Sequence, residues 1–175
     1  MREIRWIAMV FVFFLTGSVV WGQTENSESP DDAALKHAVE NKIQGIVWYG
    51  ARDYVNVEVS EGVVILNGWV SGYWKTDKIQ KAVEQVPGIK EITNEITVSN
   101  GSDELAGRAL SAIYRDAMFR KYVLAADLPV HVIVQNNSVI LAGKVTVQSE
   151  RRRAEFLVDA HTSAAVIDNR LVIEE

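Results

Sequence analysis

The stretch VNVEVSEGVVILNGWV (residues 55–70) lies over VHVIVQNNSVILAGKV (residues 130–145) without a gap when the chain is shifted by 75 residues. The same register continues to residues 98 and 173, and 11 of these 44 positions are identical. Two unrelated hairpins would share only about two or three identities, so the pattern indicates a duplication. The identical residues of the first copy are Val55, Val57, Val59, Val64, Ile65, Leu66, Gly68, Val70, Val83, Ile92 and Asn94.

Each copy carries the same series of secondary-structure signals. Apolar residues alternate along two short segments that are joined by a turn, Glu61-Gly62 in one copy and Asn136-Asn137 in the other. Helical spacing appears before this hairpin and again after it, and a third alternating segment closes the copy. The sequence therefore predicts an α+β fold of two tandem αββαβ domains. Each domain is expected to form a three-stranded mixed sheet with two helices on one face. In the second copy, the first helix is predicted to bury Leu110, Ile113, Tyr114, Ala117 and Met118.

The segment before the repeats has the layout of an export signal. Arg2 and Arg5 precede an uncharged run of 16 residues, and small or β-branched residues lead up to Gly22. We expect residues 1–22 to be a cleaved secretory signal peptide, with an uncleaved membrane anchor as the alternative. Residues 23–30 are predicted to form a flexible leader, 31–98 the first domain, 99–102 a linker and 103–173 the second domain.

Composition narrows the classes of function. The 175 residues include no cysteine, which excludes disulfides and a lipid-modified N-terminal cysteine. Removal of residues 1–22 would leave 16 basic and 22 acidic residues, a net charge of −6. An acidic chain lacks the basic footprint of nucleic-acid binding, so no nucleic-acid partner is expected. The sequence gives no indication of the oligomeric state.

The first copy resembles a BON domain (bacterial OsmY and nodulation). The glycines and apolar residues that carry the resemblance are Val55, Val57, Val59, Gly62, Val64, Leu66, Gly68, Val70, Gly88, Ile92, Asn94, Ile96 and Val98. The second copy matches less fully, because it lacks the glycine before its second strand and the one that ends its second helix. Two copies behind an export signal are similar to periplasmic OsmY-type proteins. The resemblance implies a role in osmotic-shock protection, in envelope integrity and in binding of phospholipid surfaces.

Residues for catalysis or metal binding do not cluster in the sequence. His37, His131 and His161 fall in different predicted elements, and no HxxxH or HxH spacing occurs. No catalytic site, metal or cofactor is expected, and we interpret the histidines as surface or boundary residues. Asn94 and Asn169 recur at one position of the third strand, where they would contact a ligand or satisfy backbone groups; we favour the second interpretation.

Two groups of residues are candidates for a binding surface. The first is the end of the first helix of the second copy, where basic and aromatic residues alternate: Arg115, Phe119, Arg120, Lys121 and Tyr122. Lipid-binding BON domains are thought to present this helix to anionic phospholipid; the alternative is a solvated basic helix end. The second is an aromatic group that includes Trp69, which alternation places on the outer face of its sheet. These rings would meet a bilayer, or would instead cover the open sheet face or fill a contact between the domains.

Taken together, these features predict a non-enzymatic periplasmic protein that attaches to the cell envelope and supports tolerance of osmotic or envelope stress. Its partner would be an anionic phospholipid membrane surface or an envelope protein. The alternative is an interaction or chaperone-like module that binds polypeptide through the open sheet face and Trp69.

Overall fold

The computed structural model describes residues 30–123 and 128–174. The element order αββαβ occurs twice, with a short 3₁₀ helix added in the second copy. The first domain consists of α1 (Pro30–Gln44), β1 (Tyr54–Ser60), β2 (Val63–Val70), α2 (Tyr73–Val83) and β3 (Glu91–Val98). The second consists of α3 (Asp103–Arg115), the 3₁₀ helix Arg120–Tyr122, β4 (Val130–Gln135), β5 (Ser138–Val145), α4 (Gln148–His161), β6 (Val166–Asn169) and β7 (Val172–Ile173).

The first sheet has the order β1-β2-β3, with β2 antiparallel to β1 and parallel to β3. The alternation of the strands sends every second side chain to the face that α1 and α2 cover. The core of this domain is formed by Val39, Ile43, Val55, Val57, Val59, Val64, Leu66, Val70, Ile79 and Val83. The predicted mixed sheet with two helices on one face is confirmed.

The second sheet repeats this arrangement around β5, which is antiparallel to β4 and parallel to β6. In this copy the third strand is divided into β6 and β7, which both pair with β5. The sheet therefore contains four strands. Between β6 and β7 lies Leu171, whose buried side chain joins the core.

The first helix of the second domain departs from the prediction. Helix α3 ends at Arg115 and buries Leu105, Ala106, Ala109 and Ile113. Ala117 and Met118, predicted as buried helix residues, are exposed.

A glycine at the same place in both copies allows the first two strands to approach closely. Gly68 and Gly143 have φ values of 133° and 115°. A β-carbon at Gly68 would collide with the carbonyl oxygen of Tyr54, and one at Gly143 with that of Pro129. Both glycines of the repeat are thus required by the backbone.

The two domains are in contact along the outer edge of β4. The amide of Val132 donates a 2.7 Å hydrogen bond to the carbonyl of Ala51, and the carbonyl of Val134 accepts bonds from Ser99 Oγ and the amide of Gly101. The first domain and the linker thereby cover an edge strand whose backbone groups would otherwise be open to pairing.

The predicted signal peptide, residues 1–22, and residues 23–29 of the leader lie outside the described residues. In the described part of the chain, no helix has both the length and the apolar composition needed to span a bilayer.

Candidate functional site

In each domain, a buried charged residue forms hydrogen bonds to the loop between the first helix and the first strand. In the first domain this residue is Lys75, and in the second it is Glu150, 75 positions later. Both lie in the first turn of the second helix of their domain. The two copies therefore use one position, with opposite charge, to fix the same loop.

Lys75 connects α2 to the loop of the first domain. Its ammonium donates to Asp53 Oδ2 at 2.6 Å, to the carbonyl of Trp48 at 2.9 Å and to Ser71 Oγ at 2.9 Å. The second carboxylate oxygen of Asp53 accepts from the amide and hydroxyl of Ser71. Every donor of the ammonium and both oxygens of the carboxylate are satisfied, as a buried ion pair requires.

Beside this ion pair lies a group of residues that we call the aromatic end, in which Trp48 is half-buried and the others are exposed: Val47, Trp48, Tyr73 and Trp74. The rings of Trp48 and Trp74 meet edge to face with centroids 4.8 Å apart. Val47 is 100% exposed, Tyr73 83% and Trp74 50%. Large side chains are thus exposed to solvent next to the buried Lys75–Asp53 ion pair.

Glu150 performs the corresponding task in the second domain, where its side chain is only 1% exposed. It accepts hydrogen bonds from the amide and hydroxyl of Thr146 and from the hydroxyl of Tyr122, and it pairs with Lys121 Nζ at 2.7 Å. Burial alone would raise the pKa of the carboxyl, but the bonds from Lys121 and Thr146 outweigh burial and lower the pKa. Glu150 is therefore ionised under ordinary conditions.

The second domain presents a basic segment, which we define as residues 115–123. Of the residues predicted from the sequence, Arg115 and Arg120 are exposed. Lys121 is also exposed but is paired with Glu150, and this bond raises the pKa of its ammonium. Tyr122 is half-buried, since its hydroxyl faces the same carboxylate.

Phe119, predicted as a surface ring, is 0% exposed and belongs to the core. The prediction assumed that α3 continues past Arg115, which would place residues 115, 119 and 122 on one side. The chain instead turns at Asp116, and Phe119 closes the core below the end of the helix. Met118 and Val123, which the sequence analysis did not single out as surface residues, are 37% and 50% exposed.

The turn that begins the basic segment is fixed by Asp116. Its carboxylate accepts two hydrogen bonds from Arg153 of α4, at 2.7 and 3.1 Å, and one from the amide of Met118. The bond from Arg153 is the main reason that the pKa of Asp116 is lowered. Part of the arginine run 151–153 therefore supports the turn instead of forming a free cationic face.

Comparison with known proteins identifies the repeat. Residues 31–100 and residues 117–175 each match the BON domain. The chain belongs to the BON-domain family. BON domains are associated with phospholipid binding and with envelope and osmotic-stress proteins, and the family is generally non-enzymatic and typically found in the envelope or periplasm.

Other comparisons give weaker similarities. A search of curated proteins gives no match. Two solved structures of CdsD, a structural protein of the type III secretion system of Chlamydia trachomatis, align with 12% identity. The alignments cover 81% of this chain and 92% and 98% of the CdsD chains, with TM-scores of 0.30 and 0.29.

Trp69 lies on the outer face of the first BON domain, as alternation predicted, and there it contacts the second. With Tyr54 it packs on Ile133, Ile140 and Ala142, which are buried on the outer face of the second sheet. The guanidinium of Arg170 stands 5.1 Å from the centre of the indole ring. Trp69 thus fills a contact between the BON domains, one of the placements that the sequence left open.

A cleft of about 430 Å³ lies between the BON domains beside this contact. Its lining includes His131, which is buried against the rings of Tyr49 and Tyr54. Burial raises the pKa of the Tyr54 hydroxyl. At the rim, Lys144 pairs with Glu174 at 3.3 Å, and the hydrogen bond between them raises the pKa of the lysine. Across residues 30–123 and 128–174, no three His, Asp or Glu side chains are grouped to hold a metal ion.

The repeated asparagine of the third strand satisfies neighbouring groups in both BON domains. The amide of Asn94 donates to Gln80 Oε1 and the carbonyl of Thr76, and its oxygen accepts from the amide of Ile96. Asn169 makes the equivalent bonds to residues 75 positions further on. These contacts support the interpretation of Asn94 and Asn169 as structural residues.

Proposed function

We propose that this protein is a non-enzymatic envelope protein of the periplasm that binds anionic phospholipid surfaces through the basic segment and supports tolerance of osmotic or envelope stress. The observation that carries the proposal is the exposure of Arg115 and Arg120 beside Met118 and Val123. Cationic and aliphatic side chains presented together match the phosphates and the acyl boundary of a bilayer surface.

The overall charge of the chain means that only a local basic segment can attract the protein to an anionic membrane. The whole chain has a net charge of −5, so attraction to an anionic membrane must come from a patch. Lys121 contributes little to that patch, because Glu150 neutralises it. Each arginine near an anionic surface contributes about 1 kcal/mol, so the exposed pair Arg115 and Arg120 supplies about 2 kcal/mol, or roughly a 30-fold gain in affinity.

Vesicle co-sedimentation tests this proposal. We expect binding to vesicles that contain phosphatidylglycerol at low salt, and the Arg115→Gln/Arg120→Gln variant should bind them roughly 30-fold more weakly. The matched control, Lys81→Gln/Arg152→Gln, removes two exposed cations elsewhere and should leave binding unchanged. Equal failure of the unmodified protein to sediment with phosphatidylglycerol and phosphatidylcholine would refute the lipid proposal.

Export is a separate part of the proposal. Because Arg2 and Arg5 precede an uncharged run that ends near Gly22, we expect the periplasmic form to begin at Gln23. N-terminal sequencing of the protein recovered from the periplasm checks this expectation. A form that retains residue 1 and fractionates with membranes would instead indicate an uncleaved anchor.

The polypeptide-binding alternative receives less support. It required an open sheet face with an accessible Trp69, whereas Trp69 and Tyr54 pack on the apolar outer face of the second sheet. We therefore favour the lipid surface as the partner.

A further inference from the structure

The aromatic end of the first BON domain takes no part in the contacts described so far between the domains. It includes a fully exposed aliphatic residue, Val47, next in sequence to Trp48, and two exposed rings, Tyr73 and Trp74, the second of which meets Trp48. Exposed aromatic and aliphatic residues that lie together, unlike single ones, mark a binding surface.

The fold does not require aromatic residues at these helix positions. The equivalent residues at the start of α4 are Gln148 and Ser149, in a helix that packs on its sheet in the same way. The two rings of α2 are thus an addition to the shared scaffold. Trp74 is supported by Trp48: the ammonium of Lys75 donates a hydrogen bond to the carbonyl of Trp48, and the ring of Trp48 packs against that of Trp74.

The chemistry of the aromatic end matches the interface of a bilayer. Indole and phenol groups prefer the boundary between lipid head groups and acyl chains. The exposed ammonium of Lys78 stands 5.2 Å from the ring of Trp74, where it can meet a lipid phosphate. Among the described residues, the side chain of Val47 is fully exposed and can enter the acyl boundary beside the ring of Trp74.

We propose that the aromatic end inserts into the interface of a phospholipid bilayer and binds zwitterionic as well as anionic lipid. This inference rests on the proposed binding of phospholipid surfaces. It adds a second membrane contact, in the first BON domain, that depends on burial of rings and not on charge. Attraction through the basic segment weakens with salt, whereas burial of rings does not. The protein should therefore retain part of its membrane affinity in high salt and on phosphatidylcholine alone.

The test exchanges residues between the two copies. Tyr73→Gln/Trp74→Ser places the residues of α4 in α2. We expect this variant to bind phosphatidylcholine vesicles at high salt roughly tenfold more weakly or worse, because both rings that enter the interface are lost. Phe156, an exposed ring on α4, provides the matched control: Phe156→Lys installs the residue of α2 and should leave binding unchanged.

A fluorescent probe reports insertion directly. The chain contains no cysteine, so Val47→Cys and Phe156→Cys can each carry one environment-sensitive dye. With vesicles, the dye at position 47 should brighten and be quenched by spin-labelled lipid, while the dye at position 156 should not change. An unchanged dye at position 47 and full binding by Tyr73→Gln/Trp74→Ser, with phosphatidylglycerol binding intact, would overturn this inference alone. Absence of binding to every vesicle would overturn the proposed function as well.

Discussion

Replacing Trp69 by lysine should separate the two BON domains without unfolding the first sheet. The second copy carries Lys144 at the equivalent position of its own second strand, where the lysine is exposed and paired with Glu174. The strand therefore accommodates lysine. Any loss of stability in Trp69→Lys comes from the contact between the domains.

The expected loss of stability in Trp69→Lys can be calculated from the surface that Trp69 buries in the contact. A tryptophan in a core or interface buries about 150–250 Å², and we take roughly 100 Å² as lost here because the stem of the lysine retains part of the contact. At about 25 cal/mol per Å² this loss is about 2.5 kcal/mol. Loss of the ring beneath Arg170 adds about 0.5 kcal/mol. The free energy of unfolding should therefore fall by about 3 kcal/mol.

Urea denaturation followed by circular dichroism measures this free energy, and calorimetry shows whether the domains unfold together. We expect one transition for the unmodified protein and two for Trp69→Lys, since each domain has a core of its own. Trp69→Phe, which keeps a ring in the contact, should lose about 1 kcal/mol and retain one transition. A loss below about 1 kcal/mol in Trp69→Lys, with one unchanged transition, would refute the assignment of Trp69 to the contact.

Two further predictions concern the scaffold. Gly68→Ala should destabilise the protein by about 3 kcal/mol or more in thermal unfolding, because the added carbon collides with a carbonyl in a strained backbone conformation. The control Gly107→Ala, on an exposed helix face, should stabilise the protein by about 1 kcal/mol, and equal effects of the two substitutions would contradict this account. Glu150→Gln should cost about 2 kcal/mol at pH 7. Because the pKa of Glu150 is lowered on folding, that difference should shrink as pH falls below about 4.5, and a constant difference down to pH 3 would count against the bonds assigned to the Glu150 carboxylate.

The sheets follow from local chemistry and were predictable. Alternating valines assign each side chain of β1 and β4 to a face, and the alternation along β2 predicted that Trp69 lies on the outer face. The repeat then required both copies to adopt one fold.

The surface of the second domain was not predictable in the same way. The end of α3 depends on Asp116, whose partner Arg153 lies 37 residues away, and this turn takes Phe119 into the core. The state of Lys121 depends equally on a distant carboxylate, Glu150. One signal was available, since both copies carry a charged residue at the start of the second helix, Lys75 and Glu150, in otherwise different surroundings.

The opposite charges of these two residues also have a consequence for inheritance. A hybrid domain that combined the segment between the first helix and first strand of one copy with the second helix of the other would place Glu150 against Asp53, or Lys75 against Lys121. Glu150 and Asp53 would be like charges in a buried site, where they repel strongly and one would have to lose its ionisation; Lys75 beside Lys121 would lose the carboxylate that pairs with it. Unequal recombination within the gene, the ordinary hazard of a tandem duplication, would thus yield a hybrid that folds poorly. The inverted ion pairs keep the two halves of this protein distinct.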